Sequence, residues 1–317
     1  MAITTTSLLP PPVQQSFNNK LLSVPVPLLI HSLPAMKFKM DRNGGSTMRF
    51  RRYNKLAPSL VPLGNSGVTP PSQTLSAVDI DAKIDFYGSW VAINEQVTLQ
   101  AQDRPLNEAS ILLGIQLRET EDELVRNMLA ATASVINCTG GVDGDNPTEI
   151  TRSDIEQVIM TLNGNDAKSI FENIEGENKF GTAPVRNCFI ALGHTGLSAD
   201  LNNVSGFIPS AQYPAQKNIL QAEFGSVSQL RFMLSSIGSI TPNASDNGNN
   251  VYNIFCVGQE AYGIVDQDGA GAEFIYLPPQ YSGPLALNST AGWKAAFVPR
   301  LLNDLWIMNM RATQSGS

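Results

Sequence analysis

The run PLNEASILLGIQLRETEDELVRNMLAATASVI, residues 105–136, narrows most sharply what this chain can fold into. Leu113, Leu117, Leu124 and Met128 follow one another at intervals of four, seven and four, which places them on one face of a helix. Ile111, Ile115, Val125 and Leu129 widen that face, while Arg118, Glu119, Glu121, Asp122, Glu123 and Arg126 mark the wet side. Pro105 stands at the entry, where a missing N–H costs nothing, and Gly140-Gly141 closes the exit region. A helix over residues 106–136 would be about 45 Å long, more than the radius of an ordinary domain. It must span something, either the core of an α+β enzyme or the body of a subunit arranged around it.

Composition bears on that choice. Apolar residues make up 42% of the 317-residue chain but charged residues only 15%, against about 25% in typical soluble domains. A surface so poor in charge fits one that partners cover. The net charge of −7 is unevenly placed: residues 1–60 hold eight basic residues and one acid, leaving 13 basic and 27 acidic residues for the rest. A basic end and an acidic body favour contact between copies, although a basic arm also fits nucleic-acid affinity or plain solubility. Cys138, Cys188 and Cys256 are odd in number and widely spaced, which favours buried thiols in a reducing compartment over a disulfide scaffold. No apolar run is long enough to cross a membrane as a helix.

Residues 1–45 are rich in proline and show no period of two or 3.6, so they read as an extended arm or a disordered tail. An arm of that kind is ordered only by lying on something else. Residues 46–56 alternate, with Met48 and Phe50 on one side and Arg49 and Arg51 on the other, as a strand does. A second alternation runs from Thr74 to Phe86 and changes phase at Tyr87-Gly88, before Trp90, Val91 and Ile93. The connection between them is about 17 residues, far beyond a hairpin turn. A two-stranded ribbon is marginal alone in water, so this one needs a neighbouring surface. Thr151 and Asp154 form a helix-start signal for Ile155, Val158, Ile159 and Leu162, and Gly164 stops that helix. Strands are expected over 187–194, 230–238, 251–258, 272–279, 292–299 and 304–312, with a short helix over 195–204. A hairpin, then helices, then mostly strands gives an α+β class.

Catalytic chemistry is thin. His31 and His194 are the only histidines; the first lies in the arm, and the second, in GHTG, fits a capping or packing role better than a general base. No GxSxG, HExxH, GxxxxGK[ST] or GxGxxG occurs. The segments around Asp143–Asn146 and Asp266–Gly269 lack the full acidic ladder of a calcium loop and read as turns. Neither a catalytic residue, a metal set nor a cofactor site is expected.

Several segments then recur in order: MRFRRYNKLAP, LSAVDIDAKIDFYGSWVAINEQV, LRETEDELVRNMLAATASVI, NCFIALGHTGLSADL, AEFGSVSQLRFML, VYNIFCVGQEAYGIV and GWKAAFVPRLLNDLWIMNMRAT. Together, over residues 46–313, they resemble the major capsid proteins of tailed bacteriophages, in the branch related to the phage N-four coat protein. The resemblance implies the Hong Kong 97 fold: an N-terminal arm (1–45), an extended loop lying over a neighbour (46–100) and a peripheral domain with the spine helix (101–185). An axial domain (186–271) and strands returning to the peripheral domain (272–317) would follow. It also implies a virion protein forming hexamers and pentamers around double-stranded DNA. Scaffolding, portal and decoration proteins are further implied partners, and no membrane is involved. No motif here licenses a covalent cross-link.

The residues expected to meet another copy are Met48, Arg49, Phe50, Arg51, Arg52, Tyr53, Lys55, Val78, Ile80 and Trp90. The arginines would pair with the acidic body of the next copy, and the apolar side chains would supply most of the affinity. Trp90 fits an intramolecular core equally well. A decoration or adhesin-type binding protein with a basic arm is the alternative reading, and a carboxylate hydrolase a third.

Overall fold

The computed structural model describes residues 25–60, 71–95, 105–132, 134–142, 144–170, 188–213, 220, 222–269, 271–278 and 287–315. The first 24 residues of the expected arm and residues 61–70 of the long connection lie outside them.

The long helix is present as α1 (Pro105–Ala130), 26 residues or about 39 Å. It buries Leu113, Val125 and Leu129, with Leu117, Leu124 and Met128 partly buried beside them. Three expectations about it need correction. It stops six residues early: the N–H groups of Ala131 and Thr132 bond three residues back, and β5 (Val135–Asn137) then joins a sheet. Val135 and Ile136 are β-branched, and a sheet edge gives them better packing than another helical turn. Ile111 is exposed rather than on the core face. Asp122, assigned to the wet side, is fully buried, because the arm brings it partners: it accepts from the Ser32 N–H at 2.9 Å and lies 2.7 Å from His31 Nδ1.

A five-stranded sheet lies against α1. Its centre is β14 (Asn288–Leu301), which pairs along one edge with β4 (Asp85–Asn94). Along its other edge β14 pairs in succession with β12 (Tyr262–Gln267) and β13 (Glu273–Leu277). Alternation along β4 and β14 sends Tyr87, Ile93, Ala291, Trp293, Ala295 and Phe297 inward. Tyr87 packs on Phe297 with ring centroids 5.0 Å apart, and Trp293 Nε1–H donates to Gln116 of α1 at 3.2 Å.

The arm supplies β1 (Met36–Met40), parallel to β12 from Met36↔Gly263 to Met40↔Gln267. Ile30 and His31 are fully buried just before it, and the Tyr262 hydroxyl donates to the His31 carbonyl at 2.6 Å. The described half of the arm is therefore ordered by its own chain. Five residues reading MKFKM carried too short an alternation to mark a strand.

The second sheet has β5, β15 (Ile307–Ala312), β11 (Val251–Val257), β6 (Phe189–His194), β9 (Leu230–Ser235), β8 (Glu223–Val227) and β7 (Ile208–Pro209) in that order. A short β10 (Ile240–Thr241) joins β11. Its central strands are buried on both faces, and alternate residues serve two cores. Ala191, Phe232, Ile254 and Cys256 pack with α2 (Arg152–Gly164) and α3 (Ser198–Asn203). Leu192, Met233, Phe255 and Val257 pack with α1 and the first sheet. Helix α2 starts where the sequence places it: the Asp154 carboxylate accepts from the N–H groups of Thr151 and Thr139, both at 3.1 Å. Inside this sheet Arg231 donates to Glu223 through Nε at 2.7 Å, and both side chains are buried. All three cysteines are free and buried, and burial pushes the Cys256 thiol up to about 12.

Candidate self-association surfaces

The ribbon forms from β2 (Thr47–Tyr53) and β3 (Ala77–Lys83), antiparallel from Thr47↔Lys83 to Tyr53↔Ala77. The change of phase falls at Ile84 rather than at Gly88. The buried Ile84 donates its N–H to Ser46 at 3.0 Å, which closes the ribbon, and the chain then enters β4 in the other sheet.

Register gives the ribbon two unlike faces. On one, Arg49 opposes Asp81 and Arg51 opposes Asp79. Arg49 donates to Asp81 at 2.6 and 2.9 Å, and Arg51 to Asp79 at 2.7 and 2.9 Å, each as a two-pronged fork. These bonds raise both guanidinium pKa values and hold both carboxyls below the usual range. The expectation that Arg49 and Arg51 await acids from another copy is thereby corrected: the opposite strand supplies them. The alternating Asp79 and Asp81 carried that signal, and a strand reading without register leaves it unused. Arg52 is exposed, and Lys55 Nζ stands 3.8 Å from Asp166, with both side chains open to solvent. An exposed contact of that length contributes little.

The other face is apolar apart from Arg52, which opposes Val78. Met48, Phe50 and Ala82 pack with Phe38, Met40, Ile84, Val265, Ala296 and Val298, and the Phe38 and Phe50 rings lie 4.9 Å apart. The base of the ribbon thus docks on its own chain, on the face of the first sheet that points away from α1. Toward its far end the ribbon has no such cover: Ile80 is half-buried, and Val78 and Tyr53 are exposed. Beyond them Leu56, Leu60 and Leu75 are open, the last two at 86% and 71% exposure.

That same sheet face carries a second open apolar surface. Trp90 sits opposite Gly292, and Ile275 opposes Gly292 from β13. Trp90, Ile275, Leu277 and Thr290 wall a groove of about 430 Å³ whose floor includes Gly88 and Gly292. Side chains on those glycines would collide with the sheet: a Cβ on Gly292 would stand 2.8 Å from the Ser89 carbonyl oxygen and from Trp90 Cβ. Trp90 is 68% exposed and Phe86 70%, so the intramolecular-core reading of Trp90 is overturned. The Lys294–Glu273 pair, 2.9 Å apart, marks one end. Ile275 and Leu277 escaped notice in the sequence because Phe274 and Tyr276 between them are also apolar and hide the alternation.

Two further polar groups hold loops in place. His194 Nδ1 accepts from the Gly196 N–H at 2.9 Å and Nε2 lies 3.0 Å from the Ser236 carbonyl oxygen, while burial pushes its pKa below the ordinary imidazole value. Asp145 accepts from the N–H groups of Asn146 and Asn247 at 2.8 and 3.0 Å, tying two loops together. Among the described residues no three His, Cys, Asp or Glu side chains converge as a metal site, and no helix is long and apolar enough to cross a membrane.

No family model and no curated protein sequence matches the chain. Solved structures do match, end to end. The capsid chain of cyanophage Pam1 is similar at a TM-score of 0.70 and 12% identity, over 100% of this chain and 99% of that one. The chain has the Hong Kong 97-type capsid fold. The capsid fold recurs in cyanophage P-SCSP1u, at a TM-score of 0.66 and 12% identity over 99% of this chain and 96% of that one. It recurs also in an encapsulin of Synechococcus elongatus, at 0.54 and 8% identity over 98% and 95%.

Proposed function

We propose that this chain is the major capsid protein of a tailed bacteriophage, building hexamers and pentamers of an icosahedral head around double-stranded DNA. The observation that carries the proposal is the end-to-end agreement with phage capsid chains, 100% of this chain against 99% of the Pam1 chain. Encapsulin shells share the fold, but the agreement there is weaker, 0.54 against 0.70. The surfaces left open support the same reading: an apolar ribbon end and an apolar sheet groove suit a subunit completed by its neighbours.

In this reading residues 1–45 are the arm and residues 46–100 the extended loop. Residues 101–185 and 272–317 form the peripheral domain, and residues 186–271 the axial domain. The pairing of β4 with β14 supports ending the extended loop at residue 84. DNA would meet the inner surface without sequence readout, and scaffolding, portal and decoration proteins would be transient or local partners in the virion. Sedimentation velocity across a concentration series, with scaffolding protein supplied, tests the proposal. The expected outcome is a concentration-dependent species of shell size. Stable trimers or monomers throughout would favour a decoration or adhesin-type protein instead.

A further inference from the structure

Beyond their last register pair, His194↔Ser235, strands β6 and β9 run into turns that are pressed together. The contact is backbone on backbone: a Cβ on Gly238 would stand 2.6 Å from His194 Cα, so only glycine lets the Ser235–Gly238 turn lie there. One side chain joins the two turns. His194 Nδ1 accepts from the Gly196 N–H at 2.9 Å and caps the tight turn Thr195–Leu197. An acceptor at Nδ1 puts the ring proton on Nε2, which then donates to the Ser236 carbonyl oxygen 3.0 Å away. The neutral ring with its proton on Nε2 is the form that makes both bonds. A second proton would go to Nδ1, which would then face the Gly196 N–H donor against donor. The site is also crowded: a Cβ on Gly196 would stand 3.0 Å from both His194 Nδ1 and Tyr252 Cε1, and the His194 and Tyr252 ring centroids are 5.4 Å apart.

The Ser235–Gly238 turn is itself a junction. The Ile237 carbonyl accepts from Arg126 of α1 at 2.8 Å, and the Ser235 hydroxyl donates to the Leu28 carbonyl of the arm. We propose that His194 is an acid-sensitive latch: its neutral ring clamps the turn after β6 to the Ser235–Gly238 turn, and protonation opens the clamp and loosens the seat of the arm at Leu28. The latch stands apart from the apolar surfaces and holds whether or not the chain builds shells. Charged groups on the surrounding elements are engaged elsewhere: Asp200 of α3 with Ser315, and Arg126 of α1 with Ile237 and, at 3.6 Å, with Glu123. The Tyr252 hydroxyl of β11 donates to Gln314 at 3.2 Å. Among the described residues no carboxylate is bonded to the ring to receive a second N–H. The ring is partly exposed, so a proton from solvent reaches it. Burial already holds its pKa below the ordinary imidazole value of about 6.5. A depressed folded pKa makes the latch's contribution full above about pH 6.5 and lost as pH falls through the folded value.

Hydrogen exchange of the full-length chain, read by mass spectrometry and corrected for the intrinsic pH dependence of exchange, tests the proposal. Between about pH 7.5 and 5.5, protection over residues 194–198 and 235–241 is expected to fall about three-fold or more, with residues 28–33 following, while Ile307–Ala312 keeps its protection. His194→Asn supplies the control. Its carboxamide oxygen can cap the Gly196 N–H at any pH, so the variant is expected to lose the acid response in all three segments. That separates His194 from His31, the other histidine, which the variant leaves intact. An acid response of equal size in the variant, none in the parent chain, or turns that open while residues 28–33 stay protected would each overturn the latch. Should the variant not fold, ¹⁵N-histidine NMR of the parent chain decides. The expected spectrum shows the His194 proton on Nε2 near neutral pH, with the Gly196 amide shifting at the same midpoint as the ring. A proton on Nδ1, or a Gly196 amide that ignores the ring's titration, overturns the proposal as well.

Discussion

Asp79 and Asp81 show how much a single cross-strand position decides. Read as polar residues of an alternating strand they are unremarked; in register they pair with Arg51 and Arg49 and offset two of the three positive charges on that face, Lys83 being the third. Their carboxyl pKa values are held down, chiefly by the guanidinium hydrogen bonds. A depressed folded pKa gives stability that is full above the unfolded carboxyl value, about 4, and is lost as pH falls through the depressed values. Amide exchange in Thr47–Tyr53 and Ala77–Lys83 is therefore expected to quicken below about pH 4 while Val251–Val257 stays protected; ribbon exchange that ignores pH there refutes the assignment. Asp122 is the second case. Its replacement by Ala strands the partly buried Ser32 N–H and the buried His31 ring, at a cost of about 1–3 kcal/mol. The expected signature is a lowered midpoint in denaturant with faster exchange over residues 28–40. An unchanged midpoint would show that the arm is held by Ile30 and β1 alone.

At the scale of elements, periodicity was enough for the existence of α1 and for the Leu113, Leu117, Leu124 and Met128 face, though not for its end or for Ile111, and the cap signal was enough for α2, where Asp154 stands as the spacing predicts. Strands of the second sheet were legible for a different reason: VYNIFCV and FIALGH are apolar on both faces, as central strands must be. What stayed hidden depends on contacts distant in the chain. β1 exists because β12 offers an edge, β5 because β15 does, and the end of α1 yields to that pairing. The ribbon was visible, but its partition between a docked base and an open end was not, since Met48 and Val78 look alike until Phe38 and Val265 are placed beneath one of them. Removing residues 57–73 should leave a subunit with unchanged circular dichroism and a thermal midpoint within a few degrees, because β2, β3 and their docked base remain. The same deletion should abolish shell closure in electron micrographs. Intact shells from it would move the assembly contact elsewhere.

For the whole molecule, one sheet joins the arm's β1 to β4, β12, β13 and β14 and carries the separate ribbon on its outer face, and the other holds the buried centre, with α1 packed against both. The acidic body foreseen from charge counts plays no part in pairing Arg49 or Arg51. Apolar surface stays open instead, at the ribbon end and at the Trp90 groove. Cryo-electron microscopy of the full-length chain, expressed with scaffolding protein supplied, tests this most directly. Closed icosahedral shells, with each ribbon end seated on the sheet of an adjacent subunit, are the predicted result. Monomers or small open oligomers at every concentration, with the ribbon end lying on its own chain, would contradict it.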